Sequence, residues 1–220
     1  MDGLLLIDKP AGVTSHDVVE RIRRRFAITK VGHAGTLDPM ATGLLVVLLG
    51  KSTRLFSELS VADKEYEATL TLGLQTETGD IEGRMITQSL FEKIDEERIK
   101  KVFAGFIGEQ HQVPPMYSAL KVRGKKLYQL ARKGAVVERQ PRNIFIHKLE
   151  LLRFNPPEIE FCIHCSKGTY IRTLAEDIAK ALGTCGCLSA LRRTTSGPFH
   201  IKDAVRLEEI NEGHIRNWPG

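Results

Sequence analysis

The stretch that decides the fold runs from residue 32 to residue 50 and reads GHAGTLDPMATGLLVVLLG. Its second half, residues 43–50, is apolar on both faces, which is typical of a buried central strand. Its first half holds three glycines and a proline within twelve residues, which favours a fixed, non-repetitive backbone. There Asp38 precedes Pro39, so its backbone is pushed towards an extended conformation that would present the carboxylate. A simple Asp-Pro turn is the alternative interpretation.

Hydrophobic periodicity predicts the elements on either side of this stretch. Residues 4–7 form a short apolar strand, and capping residues 14–17 precede a helix. In residues 64–72, Tyr66 begins an apolar side that alternates with polar residues, as in a strand with one wet face. Asp95 can cap a further helix. The remaining pattern predicts a strand around Phe161 and three buried helix faces, which hold Val18, Val19, Ile22 and Phe26, then Ile99, Val102, Phe103 and Phe106, and finally Leu174, Ile178 and Leu182 before Gly183.

These elements do not alternate regularly between strand and helix, so the pattern predicts an α+β sheet rather than a doubly wound one. A length of 220 residues with 42% apolar and 27% charged side chains suits one globular domain, residues 1–220. The longest apolar run, residues 44–49, is far too short to cross a membrane. Because the N-terminus has no basic region, we expect no secretory signal and a cytoplasmic protein.

The four cysteines resemble a paired metal site only at first sight. Cys162 and Cys165 lie on a predicted strand, where residues three apart point to opposite faces. Zinc knuckles place their thiols on a tight turn instead. The spacing therefore favours free thiols, which include Cys185 and Cys187, over structural zinc.

The net charge of +5 is unevenly distributed along the chain. Residues 121–153 hold ten basic and two acidic residues, a surplus of eight, which leaves −3 for everything else. A smaller basic cluster lies at residues 21–25. A solvated face is the ordinary interpretation of such clusters, but the interleaved Tyr117 and Tyr128 favour a segment that meets a polyanion, because cations bind phosphates and aromatic rings stack on bases.

Several motifs follow one another along the chain: residues 6–12, 32–43, 112–121 with 124–128, 164–173 and 191–193. In this order and spacing they resemble the TruB family of tRNA pseudouridine synthases, which isomerise the T-loop uridine at tRNA position 55. The resemblance implies a pseudouridine synthase fold: a mixed, mostly antiparallel sheet flanked by helices, with a basic inserted lobe around residues 110–153. Bacterial relatives usually carry a C-terminal PUA domain, and since the chain ends at residue 220, we expect a short form without it.

The resemblance also implies a role for single residues near the reacting bond. Asp38 takes the position of the essential carboxylate, which can attack C1′, add to C6 or help to remove a ribose proton. Arg172 matches the arginine that pairs with this carboxylate, and Lys9 belongs to the first motif as a second supporting cation. A surface arginine at the start of a helix is the alternative for Arg172.

Four further positions match residues that contact the flipped nucleotide. Tyr66 matches the tyrosine that packs on the target base, whereas pattern alone would make it an ordinary core tyrosine. His33, Tyr170 and Leu191 fall on positions that contact the nucleotide or wedge into the loop. For Leu191, core packing is an equal alternative.

The basic stretch coincides with the family's mobile insertion that closes over RNA, so Lys121, Lys125 and Lys126 are expected to meet phosphates. The partner implied is the T arm of tRNA, and nothing indicates an oligomerisation interface, so we expect a monomer. Neither cofactor nor metal is expected, since the reaction is a rearrangement without net redox change. An RNA-folding module and an unrelated glycosyl-bond hydrolase are the rival hypotheses; the first would not need Asp38, and the second lacks a convincing second carboxylate.

Overall fold

The computed structural model of the chain describes residues 1–91, 94–118, 120–122 and 124–218. The strands among these residues are β1 (Gly3–Lys9), β2 (Val31–His33), β3 (Thr42–Leu49), β4 (Lys64–Leu72), β5 (Leu74–Thr76), β6 (Met85–Gln88), β7 (Gly108–Gln112), β8 (Lys121–Val122), β9 (Lys125–Lys126), β10 (Arg142–Asn155), β11 (Glu158–Cys165), β12 (Gly186–Ser196), β13 (Phe199–His200) and β14 (Val205–Arg206). The α-helices in the same residues are α1 (Ser15–Phe26), α2 (Phe56–Leu59), α3 (Glu96–Ala104), α4 (Leu127–Ala131) and α5 (Ile171–Ala181). Short 3₁₀ turns occupy Gly50–Leu55, Ile201–Asp203 and Glu212–His214.

The chain divides into two compact units, one formed by Met1–Glu67 with Leu191–Gly220 and the other by Ala68–Ala190. The first unit is built around β3. This strand pairs antiparallel with β1 along its whole length and antiparallel with β2 at its C-terminal end. At its N-terminal end it pairs parallel with β12, and β14 pairs parallel with β1.

Every residue of β3 after Thr42 is buried, which confirms the predicted central strand. Leu44, Val46 and Leu48 point into one apolar cluster with residues of β1 and with Phe199. Each fully buried leucine or valine contributes about 1.5–3 kcal/mol through loss of apolar surface from water. The strand is therefore a rigid base for the loop that precedes it.

Helix α1 begins as the sequence predicts. Thr14 is the N-cap: its hydroxyl accepts the backbone N–H of Asp17, and the Asp17 carboxylate accepts the N–H of Thr14. The Thr14 hydroxyl also donates to this carboxylate at 2.7 Å, and this bond, together with the one from the Thr14 backbone N–H, lowers the pKa of the Asp17 carboxyl. The predicted buried face is confirmed for Val18, Val19 and Ile22, whereas Phe26, the last helical residue, is only partly buried.

The second unit contains β11, β10 and β7 in that order, together with the parts of β4 and β12 that fall within Ala68–Ala190. The pairs that β10 makes with β11 and β7 are antiparallel. Two small hairpins, β5 with β6 and β8 with β9, stand apart from this sheet. Phe103 of α3 packs edge-on against Phe161 of β11, with ring centroids 5.7 Å apart. The helices predicted after Asp95 and before Gly183 are confirmed as α3 and α5.

The segment between β7 and β10 spans residues 113–141 and contains β8, β9 and α4. The basic stretch, residues 121–153, extends beyond this segment into β10, where Arg142, Lys148 and Arg153 lie at exposed positions. The inserted segment itself still carries seven basic residues and one acidic residue.

The predicted strand positions of the cysteines are also confirmed. Cys165 is buried on β11 while Cys162 is half-exposed, as expected for residues three apart on a strand. All four thiols are free of disulfide bonds. No α-helix among the described residues is long and apolar enough to cross a membrane.

Candidate functional site

The Asp38 loop, defined as residues 34–41 between β2 and β3, is anchored by side chains that bind its backbone. The Lys9 ammonium group is fully buried and donates to three backbone oxygens, those of Pro10, Val13 and Pro39, at 2.9, 2.7 and 3.3 Å. The N–H of Gly12 also donates to the Pro39 oxygen, at 2.9 Å. The residue directly after Asp38 is therefore fixed by two donors from the first motif.

A second buried cation ties the start of the same loop to the strand β3 that follows it. Arg193, on β12, is only 1% exposed. Its guanidinium group donates to the Leu44 oxygen at 2.7 Å and to the Gly35 oxygen at 3.1 Å. Gly43 has a φ of +98°, and a Cβ there would collide with the backbone oxygen of Arg193, so only glycine allows β12 to approach this closely.

The side chain of Asp38 is half-buried within this anchored loop. Its backbone oxygen accepts the N–H of Ala41 at 3.1 Å, which closes a tight turn around Pro39. The structure therefore contains both the Asp-Pro turn and a partly accessible Asp38, which the sequence alone leaves as alternatives. The turn holds the backbone while the carboxylate retains partial access to solvent.

His33 ends β2 immediately before the Asp38 loop and is half-buried. Burial lowers the pKa of His33 below its usual 6.5, and the nearby Arg193 guanidinium lowers it further. The imidazole is therefore neutral at pH 7.

Two other predicted nucleotide-contacting residues of the first unit lie on its strands. Tyr66 is half-buried on β4, at the start of the alternating pattern. Leu191 is 8% exposed on β12, and its backbone oxygen accepts the Thr42 hydroxyl at 3.4 Å. The burial of Leu191 satisfies the core-packing interpretation, and a wedge role stays a prediction.

Arg172 lies at the start of α5 in the second unit and is only 4% exposed, so the interpretation as a surface arginine is wrong. Its guanidinium group donates to the backbone oxygens of Thr78 and Tyr117, at 2.6 and 2.8 Å. Its Nε lies 3.6 Å from Oδ2 of Asp80, a carboxylate that is 6% exposed. Within its own unit Arg172 thus has a buried anionic partner and two fixed acceptors.

Tyr170, the residue before α5, is held by a side chain from β7. The carboxamide of Gln112 is buried, and it donates to the Tyr170 oxygen at 3.0 Å and accepts the Tyr170 N–H at 2.8 Å. These two bonds imitate a strand pair and fix the backbone of Tyr170.

The inserted segment between β7 and β10, residues 113–141, is called the basic insertion below, and it presents cations to solvent. Lys125 is exposed on β9, and Arg132 is exposed with its guanidinium carbon 5.5 Å from the centre of the Tyr128 ring. The side chains of Lys121 and Lys126 lie outside the part of the chain that the structure describes.

Comparison with known proteins gives a consistent result. The family model described as TruB family pseudouridylate synthase (N terminal domain) matches residues 23–171. The chain belongs to the TruB family of tRNA pseudouridine synthases. A second model of this family, described as tRNA pseudouridylate synthase B C-terminal domain, matches residues 172–217.

Individual TruB relatives cover nearly the whole chain. The tRNA pseudouridine synthase B of Opitutus terrae is 49% identical over 210 residues, which are 96% of this chain and 87% of the relative. The protein of the same name from Syntrophotalea carbinolica is 52% identical over 210 residues, 96% of this chain and 69% of the relative. A solved chain described as belonging to a Cbf5-Nop10-Gar1 complex is 33% identical with a TM-score of 0.74, and this chain spans 53% of its length.

The family and the α+β pseudouridine synthase fold predicted from sequence are thereby confirmed, as is the class of enzyme, an isomerase. Sequence reasoning missed several buried polar side chains that surround the predicted TruB site residues. They are Ser15, Asp80, Gln112 and Arg193. A polar residue inside a matching motif was the available signal for Gln112 and Arg193, and Ser15 lies among the predicted capping residues 14–17, but nothing in the pattern indicated what each one contacts.

Glu176, on α5, provides a test of the electrostatics around Arg172. Burial raises the pKa of its carboxyl from 4.5 to about 7, the charge of Asp177 adds to the rise, and Arg172 opposes it. Between pH 4.5 and about 7, the Glu176 carboxyl is therefore protonated in the folded state and ionised in the unfolded state. Because the folded state binds the extra proton, the contribution of this group to stability is lost as the pH rises through this range.

We expect Glu176→Gln to match wild type in unfolding free energy at pH 4.5 and to exceed it by about 1 kcal/mol at pH 8, a value reduced from the full shift because the group is partly exposed. Thermal unfolding of both proteins from pH 4.5 to pH 8 measures the difference. Parallel pH profiles for the two proteins would contradict the assigned shift.

Proposed function

We propose that the chain converts uridine 55 in the T loop of tRNA to pseudouridine, with Asp38 as the essential carboxylate. The main support is the environment of Asp38, which occupies the family's carboxylate position. Asp38 is half-buried in a loop, and Lys9 and Arg193 donate hydrogen bonds to the backbone of this loop on either side of it. A preorganised carboxylate needs no rearrangement at the moment of reaction. The named relatives are tRNA pseudouridine synthases, which supports the same substrate.

The reaction is balanced without any co-reactant. The bond from ribose C1′ to uracil N1 breaks, the base turns, and a bond from C1′ to C5 forms, while the C5 proton leaves and N1 gains one. The carboxylate of Asp38 can act at C1′, at C6 or on a ribose proton. Each route needs the same fixed anion beside the sugar, and none needs a cofactor.

The target uridine must leave its stack before this carboxylate can reach it. Extrusion costs about a few kcal/mol, which contacts to the flipped base must offset. Tyr66, the neutral ring of His33, Tyr170 and Leu191 are proposed to supply those contacts. Arg172 is proposed to orient and hold the ionised Asp38, with Lys9 supporting its loop.

Incubation with an unmodified tRNA transcript tests the proposal directly. Carbodiimide treatment followed by primer extension should give a strong stop at position 55 of the T loop. A transcript with cytidine at that position is the matched control and should give none. Absence of a T-loop stop with the first transcript would overturn the proposed activity.

The same reaction mixture separates the isomerase from the rival glycosyl-bond hydrolase. A glycosyl-bond hydrolase would release free uracil, which chromatography of the reaction mixture detects. An isomerase releases no base, because the uracil remains attached through C5. Recovery of uracil in amounts equal to the lost uridine would therefore contradict isomerisation.

The basic insertion is proposed to bind the phosphates of the T arm. Reversing the charges with Lys125→Glu and Lys126→Glu should weaken tRNA binding at least about 10-fold and reduce the slope of log affinity against log salt by about 2. Filter binding at several salt concentrations measures both quantities.

The control for this experiment is Lys100→Glu with Lys101→Glu, two adjacent exposed lysines on α3 outside the insertion. This pair makes the same change in net charge. An equal loss of affinity and slope in both double variants would mean that net charge, rather than the insertion, governs binding.

A further inference from the structure

Ser15 is the first residue of α1, and the helix cap does not use its hydroxyl group. Thr14 and Asp17 complete the capping hydrogen bonds between them. Ser15 is nevertheless only 2% exposed. A buried hydroxyl at this position therefore has a different purpose.

The hydroxyl of Ser15 bonds both backbone groups of Leu37, 22 residues away. It donates to the Leu37 oxygen at 3.0 Å and accepts the Leu37 N–H at 2.9 Å. Leu37 is itself 3% exposed, so water cannot replace these two bonds. The pair of bonds fixes both the position and the rotation of the Leu37 backbone.

Leu37 directly precedes Asp38, so the two hydrogen bonds from Ser15, called the clamp below, also restrict the backbone of Asp38. The Leu37 oxygen and the Asp38 nitrogen belong to one planar peptide group, so a bond to the first fixes the plane of the second. On the other side, the Asp38 oxygen belongs to the peptide group shared with Pro39 and accepts the Ala41 N–H, while the next peptide group is held by Gly12 N–H and Lys9 Nζ, which donate to the Pro39 oxygen. The Cα of Asp38 is thus held between two fixed peptide groups.

We propose that Ser15 is a positioning residue for Asp38: its hydroxyl clamp on Leu37 sets where the carboxylate lies relative to the ribose. This inference rests on the proposed function of Asp38. Reaction rates depend steeply on such placement, and a displacement of about 1 Å can cost about 100-fold in rate. Binding of tRNA should not depend on it, because Ser15 is buried and the proposed phosphate contacts lie in the basic insertion.

Ser15→Ala removes the clamp and leaves both Leu37 backbone groups without a partner. We expect single-turnover kcat to fall about 100-fold while the Kd for tRNA changes less than about 2-fold. Val19→Ala is the control, since it creates a cavity on the same helix and lowers the melting temperature without removing a hydrogen bond to the loop. Both variants are assayed well below their melting temperatures.

A kcat of Ser15→Ala within about 3-fold of wild type would overturn the inference, as would an equal loss of kcat in Val19→Ala. If Ser15→Ala does not fold, Ser15→Cys keeps the volume with a weaker donor and should lose at least about 10-fold in kcat. A Ser15→Cys protein with wild-type kcat would overturn the inference equally well.

The variant Asp38→Asn separates this inference from the proposed function. Full activity of Asp38→Asn would overturn the role of Asp38 and the Ser15 inference with it. An inactive Asp38→Asn together with a fully active Ser15→Ala would overturn only the positioning role.

Discussion

Asp38→Asn is expected to abolish pseudouridine formation, with a fall in single-turnover rate of at least about 10⁴-fold, the scale found when a nucleophile or its essential partner is removed. The amide keeps the shape of the side chain but carries no charge and cannot act as a nucleophile or base. Because Asp38 is half-buried in a loop held through its backbone, the substitution should leave the fold unchanged. The rate is measured with excess enzyme on labelled tRNA.

Binding distinguishes chemistry from recognition in this experiment. The Kd of Asp38→Asn for tRNA should stay within about 3-fold of wild type, since the expected phosphate contacts lie in the basic insertion. Asp203→Asn, which changes an exposed carboxylate of the same unit in the same way, should retain full activity. Isomerisation at a near-normal rate by Asp38→Asn would contradict the catalytic role and would show that this carboxylate is structural.

The sequence predicts the regular elements of this fold well, for local reasons. The capping residues of α1, the alternation in β4 and the continuous apolar run of β3 are each signals within a few residues, and each is confirmed. The same local signals place Asp38 in a loop directly before a buried strand. What they do not contain is which distant side chain binds that loop.

The contacts that shape the site join residues far apart in the chain. Ser15 reaches Leu37 across 22 residues, Gln112 reaches Tyr170 across 58, and Arg193 reaches Gly35 across 158. Each is a polar side chain bound to backbone, so no complementary residue type marks its partner in the sequence. The burial of these groups, and hence their importance, appears only in three dimensions.

A common physical principle underlies these contacts. A loop that carries a reactive group has irregular backbone, and its buried N–H and C=O groups lack the partners that helices and sheets supply. Here Ser15, Lys9 and Arg193 take the place of those partners. The same hydrogen bonds therefore have two effects. They give the buried N–H and C=O groups of the loop their partners, and they restrict the loop to the conformation that positions the Asp38 carboxylate.

Arg172→Met is expected to lower the unfolding free energy by about 3 kcal/mol, because it leaves the buried carboxylate of Asp80 without its cation. The lost bonds to Thr78 and Tyr117 add to the effect. For a chain of this size the melting temperature should fall by about 6–12 °C. Thermal and denaturant unfolding measure the two quantities.

The matched control is Arg84→Met in the same unit, where the arginine side chain is 82% exposed and lies 3.4 Å from Glu77. A solvent-exposed pair contributes about 1 kcal/mol or less, so this variant should unfold almost as wild type does. Adding Asp80→Asn to Arg172→Met should recover part of the lost stability, since the unpaired buried charge is then removed. Equal destabilisation by the two arginine substitutions would show that the ion pair with Asp80 does not hold Arg172 in place, and so would a double variant that recovers no stability. Recovery in the double variant would show that this buried ion pair stabilises the start of α5, where Arg172 lies.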